Sequence, residues 1–190
     1  MIVYNQKSLD ACAVYSVAAS IGNALNIWPT DKEIRAFYEK HKGVKGGMRI
    51  HEVLEKLKTE PLAGVKVKTY DHVYDRDIGT PKGKLRNKTA IHNIKKALKE
   101  GKGVIMGMIL NKEKPKIDVS GWGHYVKQGK EDGVFHALSI VNIALAANRT
   151  DTIIIQNSWG EDFGYGGYCN LRAKYLPKIA TDVYTVEFTQ

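Results

Sequence analysis

The stretch IIIQNSWGEDFGYGGY, residues 153–168, decides the fold of this chain. Its run of isoleucines predicts the end of a buried β-strand, because consecutive β-branched residues favour extended backbone. Asn157 stands where that strand ends. We therefore expect its side-chain amide to be held in place and able to orient a polar group on a neighbouring strand.

A neighbouring strand is predicted at HALSIVNIAL, residues 136–145, which opens with a histidine. The next residue, Ala137, is small and leaves one face of the imidazole clear for a thiol. Adjacent strands would bring Asn157 beside His136, where the amide oxygen could hold the imidazole in one tautomer. His136 is therefore the candidate general acid and base, and the other histidines show no marked partner.

A candidate nucleophile stands in YNQKSLDACAVYS, residues 4–16. Apolar spacing predicts a helix capped by Asp10 or Ser8, with Cys12 in its first turn. The unpaired amides of a helix start favour a thiolate and so lower the pKa of a cysteine there. Gln6 and the backbone N–H of Cys12 are candidate donors to the oxyanion formed on attack. The alternative is that Cys12 is a buried structural thiol.

The remaining elements fall into two blocks, helices first and strands second. Further helices are predicted at 30–41, opened by Thr30 and Glu33 as a capping box, at 48–58 and at 89–102, and further strands at 65–70, 103–110, 166–173 and 182–188. Residues 111–133 are predicted to be loop. The order predicts the α+β class, with one domain, 1–190, made of a helical lobe at 1–88 and a β-rich, barrel-like lobe at 89–190 with a cleft between them.

Four segments in this order, NQKSLDACAVYS, GG, HALSIV and IIIQNSWGEDFGYGGY, resemble the papain-like cysteine proteases. The step of six residues from Gln6 to Cys12 is similar to that of the family's oxyanion-hole glutamine. The cysteine, histidine and asparagine are separated much as in papain and the cathepsins. Because no inhibitory propeptide is visible before Cys12, the chain is more similar to bacterial and viral members. The resemblance implies a two-lobed papain-like fold.

The resemblance also implies a triad of Cys12, His136 and Asn157, with Gln6 in the oxyanion hole. In this family the thiolate attacks the scissile carbonyl of a peptide or protein substrate. The histidine then protonates the leaving amine, and water releases the acyl-enzyme. The expected activity is therefore that of a thiol peptidase.

Three further residues are expected to complete the substrate site by the same resemblance. Gly46 and Gly47 match the glycine pair whose backbone binds the substrate as an extended strand. Trp159 is grouped with them, and we expect it to shield the hydrogen bond between Asn157 and His136 from water. The pair of glycines could also be only a turn that starts a helix.

The residues around Cys12 depart from the family pattern. Leu9-Asp10-Ala11-Cys12-Ala13 stands where the family usually has Cys-Gly-Ser-Cys-Trp. The missing first cysteine removes a disulfide, and the missing tryptophan removes part of one cleft wall. Asp10 is a new negative charge, which could raise the pKa of the thiol if it faces the site or could act only as a helix cap.

Charge and cysteine content limit the partners and the compartment. The formal net charge is +9, and residues 82–102 hold seven lysines and one arginine against Glu100. This basic stretch could bind an acidic partner, but no aromatics interleave with it, which argues against nucleic acid. Two cysteines form no disulfide scaffold, so a reducing cytoplasmic compartment is expected, with secretion as the alternative. No apolar run is long enough for a membrane span, and no metal or phosphate motif predicts a cofactor.

Two other functions compete with the thiol peptidase. One is a different Cys-His acyl transfer on the same scaffold: transpeptidation, ester or amide hydrolysis, or cleavage of a peptidoglycan stem peptide. The other is a catalytically silent papain-like domain that binds a partner through residues 82–102. Substrate preference is not predicted, because the residues expected to line the side-chain pockets fall in loosely matched segments.

Overall fold

A computed structural model describes residues 2–44, 46–75, 83–110, 117–119, 124–126, 134–145 and 151–190. The helices are α1, Cys12–Leu25, α2, Asp31–His41, α3, Ile50–Leu57, α4, Gly83–Lys99, and α5, Leu176–Ile179. The strands are β1, Lys66–Asp75, β2, Gly103–Leu110, β3, Ile117–Val119, β4, His124–Val126, β5, Val134–Leu145, β6, Asp151–Gln156, β7, Tyr168–Arg172, and β8, Ala180–Thr189. The predicted α+β class is confirmed.

Helix α1 is central, because all its residues from 13 to 22 are buried. It packs against α2 and α3 on one side and against β2 and β5 on the other. Its N-cap is Ala11, and no side chain caps it. The expectation that Asp10 or Ser8 caps this helix is therefore wrong, which leaves the Asp10 carboxylate available to face elsewhere.

Helix α2 begins as the sequence predicts. Glu33 donates its backbone N–H to Thr30 Oγ1 at 3.3 Å, and Glu33 Oε2 accepts from the Thr30 backbone N–H at 2.7 Å. This reciprocal pair satisfies two amides that a helix start otherwise leaves unpaired. The capping box is confirmed.

Six strands form one antiparallel sheet in the order β1-β8-β2-β5-β6-β7. Side chains alternate between its faces. Ile105 and Tyr184 belong to the core shared with α1, α2 and α3, whereas Met106 and Leu138 belong to a second core that includes residues of α4 and α5. The sheet thus has helices on both faces, and the row Ala137–Gly107–Asp182 crosses three strands on the α1 side.

Four elements differ from the prediction. Strand β1 is longer than the predicted 65–70, because it pairs with β8 along its length. Helix α4 starts six residues earlier than the predicted 89. Strands β3 and β4 pair with each other, antiparallel, within the predicted loop 111–133, whose other residues lie outside the described part of the chain. The described part of the chain contains no helix that is both long and apolar enough to cross a membrane.

Candidate active site

His136 and Asn157 are joined by a buried hydrogen bond. Ser139 of β5 pairs with Gln156 of β6. When this register is continued by a few residues, His136 lies diagonally opposite Asn157. His136 Nε2 lies 2.7 Å from Asn157 Oδ1, and the backbone N–H of Ser158 donates to the same oxygen at 2.8 Å. Because Oδ1 only accepts, Nε2 carries the proton and Nδ1 is left with a free lone pair.

Trp159 covers this pair. Its ring centroid lies 4.7 Å from that of the His136 imidazole, at an interplanar angle of 32°. Phe163 meets the indole edge-on at 5.2 Å. The indole therefore packs directly on the histidine, as the shielding role requires.

Cys12 is the first residue of α1 and lines a cleft of about 1140 Å³ together with His136 and Ala137. Burial raises the pKa of the Cys12 thiol, and the Asp10 carboxylate raises it further. The backbone N–H groups of Ala137, Ala13 and Cys12 oppose this by donating to the sulfur. The net effect is a raised pKa of the Cys12 thiol, whereas a helix start alone would lower it. The pKa rises because packing against the sheet removes water from the thiol.

The pKa of the His136 imidazole is shifted as well. Burial lowers the pKa of His136, and the hydrogen bond to Asn157 and the charge of Asp10 only partly offset that effect. The raised pKa of the Cys12 thiol and the lowered pKa of the imidazole together favour a neutral pair over a thiolate–imidazolium pair.

Gln6 is fixed at both ends of its amide. Its Nε2 donates to the Leu9 carbonyl at 2.7 Å, and its Oε1 accepts from the Ser158 hydroxyl. The Gln6 backbone N–H donates to the Ser158 carbonyl at 2.8 Å. The side chain is 6% exposed, and Nε2 retains a second N–H for another acceptor. Ser158 is a residue that the sequence analysis missed, because its contact with Gln6 joins distant parts of the chain.

Gly46 and Gly47 line the same cleft, with φ values of +73° and +70°. Such values suit glycine, because a Cβ would crowd the backbone. A Cβ on Gly47 would also lie 2.9 Å from Asp10 Oδ2. The Gly47 backbone N–H donates to the Tyr38 hydroxyl at 3.2 Å.

The cleft also contains residues to which the sequence analysis gave no site role. Asp10 lines the cleft. Of the two roles considered for this carboxylate, a charge that faces the site and a helix cap, the structure supports the first. His51 and His72 line the cleft as well, and His72 stacks on Tyr184 with ring centroids 4.5 Å apart. The second cysteine is separate: Cys169 is buried in β7, forms no disulfide, and burial raises the pKa of its thiol to about 12.

The basic stretch is partly neutralised within the chain. Lys95 pairs with Asp151 at 2.7 Å, and Lys102 pairs with Glu100 at 3.0 Å. Lys82 and the side chains of residues 83–88 lie outside the described residues. An acidic partner at residues 82–102 stays a prediction.

Comparisons with known proteins agree with the fold and the family. The model of the papain family cysteine proteases matches residues 6–186. Over 102 residues the chain is 29% identical to an uncharacterized peptidase C1-like protein of Acanthamoeba polyphaga mimivirus. The match covers 51% of this chain but only 32% of that viral protein.

Solved structures share the fold at low identity. Bromelain from Ananas comosus, in complex with the E64 inhibitor, aligns with a TM-score of 0.62 at 16% identity, over 98% of this chain and 93% of bromelain. Xylellain, a cysteine protease from Xylella fastidiosa, aligns with a TM-score of 0.65 at 15% identity, over 100% of this chain and 84% of that one. The predicted papain-like fold is confirmed.

Proposed function

Because the chain belongs to the papain family of cysteine proteases, we propose that it hydrolyses peptide bonds with Cys12 as the nucleophile and His136 as the general acid and base. Asn157 orients the histidine. The observation that carries this assignment is the 2.7 Å hydrogen bond from His136 Nε2 to Asn157 Oδ1, made beside the cleft that Cys12 lines. Substrates are peptides or proteins that enter this cleft.

Attack begins with proton transfer from the Cys12 thiol to His136. Because Nε2 of His136 is committed to Asn157, Nδ1 is the atom that accepts the proton of the Cys12 thiol. The thiolate adds to the scissile carbonyl as the proton leaves. The imidazolium then gives this proton to the leaving amine, and a water molecule activated by Nδ1 releases the acyl group.

The oxyanion of each tetrahedral intermediate needs donors on the cysteine side. The second N–H of Gln6 Nε2 and the backbone N–H of Cys12 fill this role. The amide of Gln6 needs no reorganisation during the reaction, because Leu9 and Ser158 already hold its two ends. The glycine pair offers backbone groups to an extended substrate. The backbone N–H of Gly47 can bind the substrate once its hydrogen bond to the Tyr38 hydroxyl is broken.

Mass spectrometry of products from a mixed peptide library tests the assignment. Wild-type protein under reducing conditions should cleave peptides, whereas Cys12→Ala and His136→Ala should each lose activity by at least about 10³-fold. Cys169→Ala is the matched thiol control and should retain activity, since that thiol is buried away from the cleft. Cleavage that survives Cys12→Ala would refute the assignment.

The same library distinguishes hydrolysis from other acyl transfer. When a primary amine is added, a hydrolase releases mainly free carboxylates, whereas a transpeptidase forms amides with the amine. A silent binding domain would form neither product. Iodoacetamide labelling of Cys12 then reports whether the thiol is accessible despite the absence of turnover.

A further inference from the structure

Asp10 lies in the cleft, and the proposed mechanism gives it no task. It precedes Cys12 by two residues, is exposed, and does not cap α1. Its Oδ2 lies close to Gly47, where a Cβ would be only 2.9 Å away. The carboxylate thus lies beside the glycine backbone along which the substrate is expected to bind, two residues before the nucleophile in the chain.

Asp10 has no internal counter-charge in the described part of the chain. No lysine, arginine or histidine there lies within ion-pair distance of it. Other acidic residues do find one: Glu187 pairs with Lys68 at 2.6 Å, and Glu39 pairs with Lys42 at 2.6 Å.

The other two carboxylates of the cleft are already engaged. Glu52 accepts the backbone N–H of Arg49 at 2.8 Å as part of the start of α3. Asp182 Oδ1 accepts from the Thr181 hydroxyl at 2.7 Å. Asp10 is therefore the carboxylate best placed to receive a charge that arrives with the substrate.

We propose that Asp10 is a specificity-determining residue that pairs with a positive charge on the substrate next to the scissile bond. The inference rests on the proposed function. Two residues of chain span at most about 7 Å, which the side chain of a substrate lysine or arginine can cover. A free α-amino group close to the scissile bond has the same chemistry, and the test separates these two sources of charge.

Binding of such a cation would also act on the nucleophile. Asp10 raises the pKa of the Cys12 thiol, because a nearby negative charge disfavours a thiolate. A cation paired with Asp10 would cancel part of that effect. Cationic substrates would then be attacked faster as well as bound more tightly.

Matched peptides provide the test. Each pair differs only by arginine against citrulline, its neutral isostere, at one of the positions flanking the scissile bond, and a second series compares free with acetylated N-termini. We expect wild-type kcat/KM to favour the charged member roughly five- to tenfold at one position. In Asp10→Asn this ratio should fall to about one, and 0.5 M NaCl should weaken it in the wild type.

Two carboxylate variants serve as controls. Asp71→Asn removes the same charge on β1, outside the residues that line the cleft, and Asp182→Asn removes another cleft carboxylate. Both should retain the preference. The proposal is overturned if the wild type shows no charge preference, if Asp10→Asn keeps it, or if Asp182→Asn alone removes it.

Two further measurements separate this proposal from the proposed function and from a folding defect. If no peptide is cleaved, the proposed function fails, and dissociation constants of the same peptides for Cys12→Ala still decide whether Asp10 selects a cation. Asp10→Lys should reverse the charge preference, favouring glutamate over glutamine at the same position. Circular dichroism of each variant checks that it has folded.

Discussion

Ser158 connects the two halves of the candidate site. Its backbone N–H donates to Asn157 Oδ1, and its hydroxyl donates to Gln6 Oε1. One buried serine thus holds both the oxygen that accepts from His136 and the amide that we propose faces the oxyanion. Its position between Asn157 and Trp159 leaves little room for either to move independently.

Removing the hydroxyl should affect turnover more than binding. In Ser158→Ala the Gln6 amide loses the hydrogen bond that fixes its orientation. We therefore expect kcat to fall by about tenfold with little change in KM. This loss is smaller than the loss expected when an oxyanion donor is removed completely. Ser139→Ala is the matched control, because that buried hydroxyl has no hydrogen-bond partner among the described residues. Steady-state kinetics of both variants check the prediction, and an equal loss in both would contradict it.

The pH dependence of Cys12 alkylation should report the charge of Asp10. Asp10 raises the pKa of both the Cys12 thiol and the His136 imidazole, because a negative charge favours the more positive form of each. Asp10→Asn should therefore move both titration midpoints to lower pH. Iodoacetamide labelling located by mass spectrometry measures the thiol, and NMR of the imidazole measures the histidine.

Cys169 is the control within the same labelling experiment. Burial raises the pKa of its thiol to about 12, so it should stay unlabelled in the folded protein across neutral pH. Midpoints that do not change in Asp10→Asn would mean that the carboxylate does not act on the site.

The sequence identifies those candidate site residues that stand in a recognisable local pattern. His136 and Asn157 are predicted because each stands at the end of a predicted strand; β5 in fact begins two residues before His136, and the predicted contact is present. The Ser158–Gln6 bond joins residues 152 positions apart, so no local pattern reveals it. The amides at the start of α1 lower the pKa of the Cys12 thiol, as the sequence predicts, but burial raises it more, and burial follows from the packing of β5 against α1.

Among the elements, prediction succeeded where the signal lies within the element. The capping box of α2 is complete within four residues, so it was found from sequence. The prediction made β1 too short and missed the pairing of β3 with β4, because the extent of a strand depends on its partner strand. For β1 that partner is β8, near the other end of the chain.

The capping box gives a prediction for stability. Thr30→Ala removes the acceptor for the Glu33 backbone N–H and should lower the free energy of unfolding by about 1 kcal/mol. Ser8→Ala is the control, since Ser8 was a predicted cap but no side chain caps α1. Urea denaturation measures both variants, and a cost at Ser8 equal to that at Thr30 would contradict the observed cap positions.

On the scale of the whole molecule, one sheet supports two cores. Its strands face α1, α2 and α3 on one side and α4 and α5 on the other, so neither core persists without the sheet. The predicted lobe boundary at residue 88 separates β1 from its partner β8 in the sequence, although the two strands pair. The single domain and its two lobes stay a prediction that unfolding experiments can address.

We expect both cores to unfold together. Trp28 packs on the first core and Trp159 on the second. Single-tryptophan variants that keep one or the other should show the same urea midpoint by fluorescence, after correction for the stability of each variant. Separate fragments 1–88 and 89–190 should lack cooperative unfolding, since the first keeps only β1 of the six-stranded sheet and the second loses α1, α2 and α3 from one face of it. Two distinct transitions in the intact chain would refute this.

The segment of residues 2–6 is tied to the end of β6 and to the loop that follows it. The carbonyls of Ile2 and Tyr4 accept from the Gln156 side chain at 2.7 Å and from the Gly160 backbone at 2.9 Å. Tyr4 also anchors the segment in the first core, where its ring centroid lies 5.8 Å from that of Tyr15 and its hydroxyl donates to the Pro29 carbonyl at 2.7 Å. Gln6 should therefore stay in place for as long as that core is intact. Warming should then abolish turnover only when the core melts, so heat inactivation and melting should coincide.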